Sequence, residues 1–89
     1  MANAVKYYEM SAFHKNASAY FYLGVCYSKG TGVVQNDVKA VEYYQLSVDQ
    51  DFPPAQFNLA VCYANGTGVT KNDERAFELY HLSAHRFFF

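Results

Sequence analysis

Apolar and small side chains return at Ala40, Tyr43, Tyr44 and Ser47, the i, i+3, i+4, i+7 spacing of one helical face. Further along, Ala55, Leu59 and Cys62 form one stripe while Phe57 and Val61 form a second. A helix apolar on two sides is one held between neighbours. Polar breaks interrupt these runs at Gly30-Thr31-Gly32-Val33 and Gly66-Thr67-Gly68-Val69. The first glycine of each can take φ > 0 at a helix end, the next lets the chain reverse, and the valine tucks back under the helix pair. Asp37 and Asp73 stand where an N-cap acceptor is wanted, and Pro53 and Pro54 suit a first turn, where a missing N–H costs nothing. Together these signals predict five helices, at about 2–14, 17–28, 38–50, 54–64 and 74–85.

The pattern repeats. Sliding residues 4–39 over 40–75 without a gap matches 17 of 36 positions, among them Tyr7/Tyr43, Tyr8/Tyr44, Phe21/Phe57, Leu23/Leu59, Cys26/Cys62 and both Gly-Thr-Gly-Val stretches. A third copy opens with Ala76, Tyr80 and Ser83. The chain therefore reads as one all-α domain, an α-solenoid of about two and a half 36-residue helix-turn-helix units. The units run from about 1 to 36, 37 to 72 and, as a half unit, 73 to 89. Met1 at the position of the capping aspartates, and Phe87-Phe88-Phe89 where another helix should open, suggest a piece of a longer array or a protein that associates end to end.

Ala19, Leu23, Gly24, Tyr27, Gly30, Gly32, Val33, Asp37, Ala40 and Tyr44, repeated in the same order from Ala55 to Tyr80, closely resemble the Sel-1-like repeat, a relative of the tetratricopeptide repeat. The resemblance covers essentially the whole chain and implies an adaptor or scaffold that holds protein partners. Two features depart from it. The glycine that usually separates the two helices of a unit is replaced by Lys15, Asp51 and Phe87, and Ala60 stands where the first copy has Gly24.

Composition narrows the function classes. In 89 residues, 52% apolar and 17% charged, with a net charge of −1, there is enough apolar surface for a core and no basic cluster for nucleic acid or an anionic membrane. The longest uncharged stretch, between Lys15 and Lys29, carries Asn16, Ser18, Gly24 and Ser28, so no membrane span is expected, and the N-terminus shows no secretory leader. Cys26 and Cys62 are repeat equivalents on successive second helices, about 8–10 Å apart by helix packing distances, too far for a disulfide. Each reads as a small buried apolar side chain, and such thiols lean towards a cytosolic setting. The relatives with paired cysteines in each unit are secreted, and one cysteine per unit does not fit them. Asn16-Ala-Ser18 and Asn65-Gly-Thr67 match glycosylation acceptors, of meaning only on a secretory route.

The candidate site lies where the copies differ. Lys6/Glu42/Glu78, Glu9/Gln45/His81 and Phe13/Asp49/His85 change from copy to copy at i, i+3, i+7 and so share one face of the first helix of each unit. By resemblance to tetratricopeptide-like solenoids, first helices line the concave surface. With neutral histidines this strip carries a net charge of −3, which favours a basic or mixed-charge peptide. Glu78, His81 and His85 also form a weak zinc candidate, lacking a fourth ligand and the glutamate base of a metalloprotease helix. No phosphate loop follows the glycines, since Val34-Gln35 and Thr70-Lys71 stand in place of Lys-Ser/Thr. No nucleophile is matched to His14 either. The reading is a non-catalytic protein interaction module without a cofactor. The alternatives are a regulatory repeat module of a larger enzyme and, less favoured, a metal-binding hydrolase.

Overall fold

The computed structural model describes residues 16–87, with side chains through residue 84. Four helices follow in chain order: α1 (Ala17–Lys29), α2 (Asp37–Val48), α3 (Pro53–Asn65) and α4 (Asp73–Phe87). No strand occurs among the described residues. The expected helix over 2–14 lies outside them.

Each helix begins and ends for a local reason. Asn16 Oδ1 accepts the Ala19 N–H at 3.0 Å and opens α1. The caps of α2 and α4 correct the sequence reading by one position. Asn36 Oδ1 accepts from Lys39 N at 3.1 Å and Asn72 Oδ1 from Arg75 N at 3.0 Å. Asp37 and Asp73 are instead the first residues of their helices, where the helix dipole favours a carboxylate. Asp37 Oδ1 accepts from Gln35 Nε2 and Asp73 Oδ1 from Lys71 Nζ, each at 2.6 Å. Pro53 and Pro54 open α3 and remove two N–H groups that would lack partners. The next two donors, Ala55 and Gln56, both reach the Phe52 carbonyl.

The Gly-Thr-Gly-Val stretches close α1 and α3 as expected. Gly30 and Gly66 sit at φ 71° and 70°, and Thr31 and Thr67 donate back to the Cys26 and Cys62 carbonyls at 2.9 Å. Val33 packs against the Ala19, Leu23 and Cys26 cluster, and Val69 against the cluster around Leu59. The end of α2 is different. It stops at Val48, two residues before the expected boundary, and the chain turns through Asp51 at φ 57°. Asp51 thus keeps the left-handed geometry that a glycine would supply at this turn, a conformation aspartate tolerates better than most side chains.

Consecutive helices pack on one another, α1 on α2, α2 on α3 and α3 on α4. Most of the packing falls on repeated positions. Leu23 and Leu59 are fully buried, as is Leu79 where the previous copy has Tyr43, and Ala19, Ala40, Ala55 and Ala76, with Ala60 in the place of Gly24, let the backbones approach. Gly24 serves one unusually close approach, since a Cβ there would lie 2.6 Å from the Tyr44 ring. The repeated serine has a role its place on an apolar stripe does not reveal. Ser47 Oγ donates to the Ala17 carbonyl at 2.7 Å, and Ser83 Oγ to the Pro53 carbonyl at 3.4 Å. Each hydroxyl ties a helix to the first turn of the helix just before it, α2 to α1 and α4 to α3.

Candidate functional site

The variable strip lies on α2 and α4. Glu42 is exposed on α2, Gln45 is half-buried, and Asp49 is exposed at the C-cap of α2, while Glu78 and His81 are exposed on α4. Lys6, Glu9 and Phe13 lie outside the described residues. His85 belongs to α4, with its side chain outside them.

These side chains are engaged along their own helices. Gln45 Nε2 donates to Asp49 Oδ1 at 2.9 Å, Arg75 reaches Glu78 at 3.5 Å, and the His81 ring stacks on Phe77 with centroids 6.3 Å apart. Such exposed pairs contribute a few tenths of a kcal/mol, about 0.3–0.5, so an incoming partner can displace them at little cost. The electrostatics of α2 are unbalanced. Asp49 caps its C-terminus and no basic residue occupies the last turn, so a carboxylate faces the negative end of the helix dipole. Among the described residues no three His, Cys, Asp or Glu side chains converge as a metal site.

Two features of the surface escape a reading by period alone. Tyr20, Tyr43 and Tyr27 form a stacked ladder, centroids 6.3 and 5.6 Å apart, with Lys39 Nζ 5.2 Å from the Tyr27 centroid. The second stripe of α3 is also not uniformly covered: Val61 is half-buried, but Phe57 is 51% exposed and faces a groove. The repetition of Phe21 at Phe57 was the available signal for that groove.

The two thiols are free and buried, and burial raises the pKa of each; a nearby Asp37 charge adds to the rise at Cys62. A thiol held neutral in the fold contributes stability that is fully present below its ordinary pKa and is lost as pH rises from there through the raised folded value. Neither cysteine is therefore expected to react with Ellman's reagent at pH 8 before unfolding. Melting temperature should hold through neutral pH and fall in the alkaline range. Prompt labelling of the native protein would contradict this burial.

Comparison with protein families gives a match to the Sel1 repeat over residues 1–12, 17–52 and 53–86. The chain belongs to the Sel1 repeat family. Its second and third matched segments start at Ala17 and Pro53, the first residues of α1 and α3. A Sel1 repeat protein from Oxalobacter formigenes is 27% identical, with a TM-score of 0.90 over 92% of this chain and 63% of its own. A protective antigen of uropathogenic Escherichia coli with an SLR fold is 30% identical, with a TM-score of 0.93 over 96% of this chain and 18% of its own. Cysteine rich protein B of Helicobacter pylori, 21% identical, shares the fold at a TM-score of 0.87 over 91% of this chain and 61% of its own. The Sel1 chain thus spans less than two thirds of each of these proteins. A search of curated proteins gives no match. Sel1 repeats are helical modules generally involved in protein–protein interaction, in a family that is generally a non-catalytic scaffold.

Proposed function

We propose that this Sel1 chain is a non-catalytic interaction scaffold whose variable strip takes a basic or mixed-charge peptide. The strip comprises Lys6, Glu9 and Phe13, then Glu42, Gln45 and Asp49, then Glu78, His81 and His85. The observation that carries this reading is the acidic end of α2, where Asp49 meets the negative pole of its own helix without a basic residue in the last turn. A stability-optimised helix would place Lys or Arg there. A cationic side chain of a guest relieves the same repulsion on binding, so an arrangement unfavourable for the isolated chain becomes favourable in the complex.

That asymmetry separates binding from folding in one experiment. The double variant E42K/D49K is expected to lose capture of a mass-spectrometrically identified partner at least tenfold, while its melting temperature stays equal to or slightly above that of the parent. A helix-terminal lysine contributes about 0.3–1 kcal/mol, enough to offset the exposed Gln45–Asp49 bond. Unchanged capture by the folded variant removes this strip as the binding surface.

A further inference from the structure

Between Asp37 and Val48 on α2 and the equivalent stretch of α4, six positions carry the same residue. Four of them serve the fold. Asp37 and Asp73 open their helices, Ala40 and Ala76 are buried where helices approach, and Ser47 and Ser83 bond the helix before. Tyr44 is buried in the shared core, and Tyr80 packs edge-on against Phe57. The pairs Glu42/Glu78 and Leu46/Leu82 are left over. Leu46 and Leu82 stand 42% and 45% exposed, outside both core clusters. Lysine, glutamate or glutamine serves an exposed helix position about as well as leucine, so helix formation does not account for a leucine present twice. Each lies four residues after an exposed glutamate, one turn on along the same side of its helix. Both α2 and α4 thus present a carboxylate beside a bulky apolar side chain at the same register.

We propose that Leu46 and Leu82 are the apolar anchors of the strip, and that its guest is a segment alternating basic with bulky apolar side chains. This inference rests on the peptide-binding reading above and narrows it. Charge complementarity selects the guest. Glu42, Asp49 and Glu78 call for cations, and no basic residue in the last turn of α2 answers them. Arg75 reaches Glu78 at 3.5 Å, an exposed contact that a guest displaces at little cost. An apolar side chain carried next to each cation then covers the exposed part of a leucine and removes it from water. A second copy is a poor guest, since this chain has a net charge of −1 and no basic cluster to offer. Half-exposed leucines contribute little to the fold, so their truncation separates binding from stability.

The test measures fluorescence anisotropy of the full chain with two labelled synthetic peptides of equal length and charge. One alternates Lys with Leu, the other Lys with Ser. The parent should bind the Lys–Leu peptide about tenfold or more tighter than the Lys–Ser peptide. L46A/L82A is expected to bring the Lys–Leu affinity down to the Lys–Ser value, with the melting temperature nearly unchanged. E42Q/E78Q should weaken both peptides alike. Should the double leucine variant melt early, L46A and L82A alone should each lose part of the preference. Equal binding of the two peptides by the parent overturns the leucine anchors and leaves the charge reading standing. So does a preference that survives in L46A/L82A. Binding of neither peptide, or affinities untouched by E42Q/E78Q, overturns this inference together with the reading it rests on.

Discussion

Gly68→Ala is expected to destabilise the protein by about 3 kcal/mol or more, at least twice the effect of Gly66→Ala a few residues away. Both glycines sit at positive φ, 74° and 70°, so both substitutions carry the left-handed strain of an L-residue, about 1–2 kcal/mol. Their surroundings differ. A Cβ at Gly66 comes no nearer than 3.3 Å to Lys71 Cβ and 3.4 Å to its backbone nitrogen, contacts that a shift of a few tenths of an ångström relieves. At Gly68 it runs into the backbone carbonyl of Asp37, 2.7 Å from the carbon, and reaches Val41 at 3.0 Å. Asp37 is the first residue of α2, and a helix terminus cannot move aside without disturbing its cap at Asn36. The second glycine of the motif therefore seats the loop after α3 on the start of α2, beyond any role in reversing the chain. Urea denaturation of the two variants gives the comparison directly, and equal losses would show that the close approach carries no energy.

Leu59→Ala is expected to cost about 3–4 kcal/mol, by lost transfer free energy and the cavity left behind. Leu59 is fully buried in a cluster with Ala40, Val41, Tyr44, Ala60, Cys62 and Leu79, drawn from α2, α3 and α4. Its truncation thus removes packing from both interfaces of α3 at once. A chain of this size has on the order of 5–10 kcal/mol in total, so the variant should remain folded at low temperature and melt far earlier, with a cooperative transition. The exposed Leu46, truncated in the same way, should shift stability by less than about 0.5 kcal/mol. A Leu59→Ala loss as small as that of Leu46→Ala would contradict the shared core.

The 36-residue period was enough to place the described helices to within a few residues, because the identities it picks out are contacts. Ala19/Ala55, Leu23/Leu59 and Cys26/Cys62 are buried in both copies, as are Ala40 and Ala76. What periodicity could not reach was decided by single hydrogen bonds or by neighbours distant in sequence. Asn36 and Asp37 are both good capping residues, and only the backbone at Asn36, φ −157° and ψ 102°, selects the first. Ser47 resembles a small spacer until the Ala17 carbonyl, thirty residues away, is brought within reach. Phe57 shares a stripe with Val61, yet it stands half-exposed because it borders the groove between α3 and α4 rather than the core. On the candidate strip the sequence identified exposed, variable positions. It could not show that Gln45 turns to Asp49 or Glu78 to Arg75, since rotamers on a solvated face are set by whichever partner lies within a turn.

The claim beneath all of this is that successive copies lie against one another through their shared residues. Proton–proton cross-relaxation in solution tests it at one contact, Gly24 on α1 against the Tyr44 ring on α2. A strong Gly24 Hα to Tyr44 ring cross-peak, accompanied by one between the Phe21 and Phe52 rings, is the predicted result. Intact helical signals without either cross-peak would mean that the copies do not stack, and both the core and the binding strip would have to be redrawn.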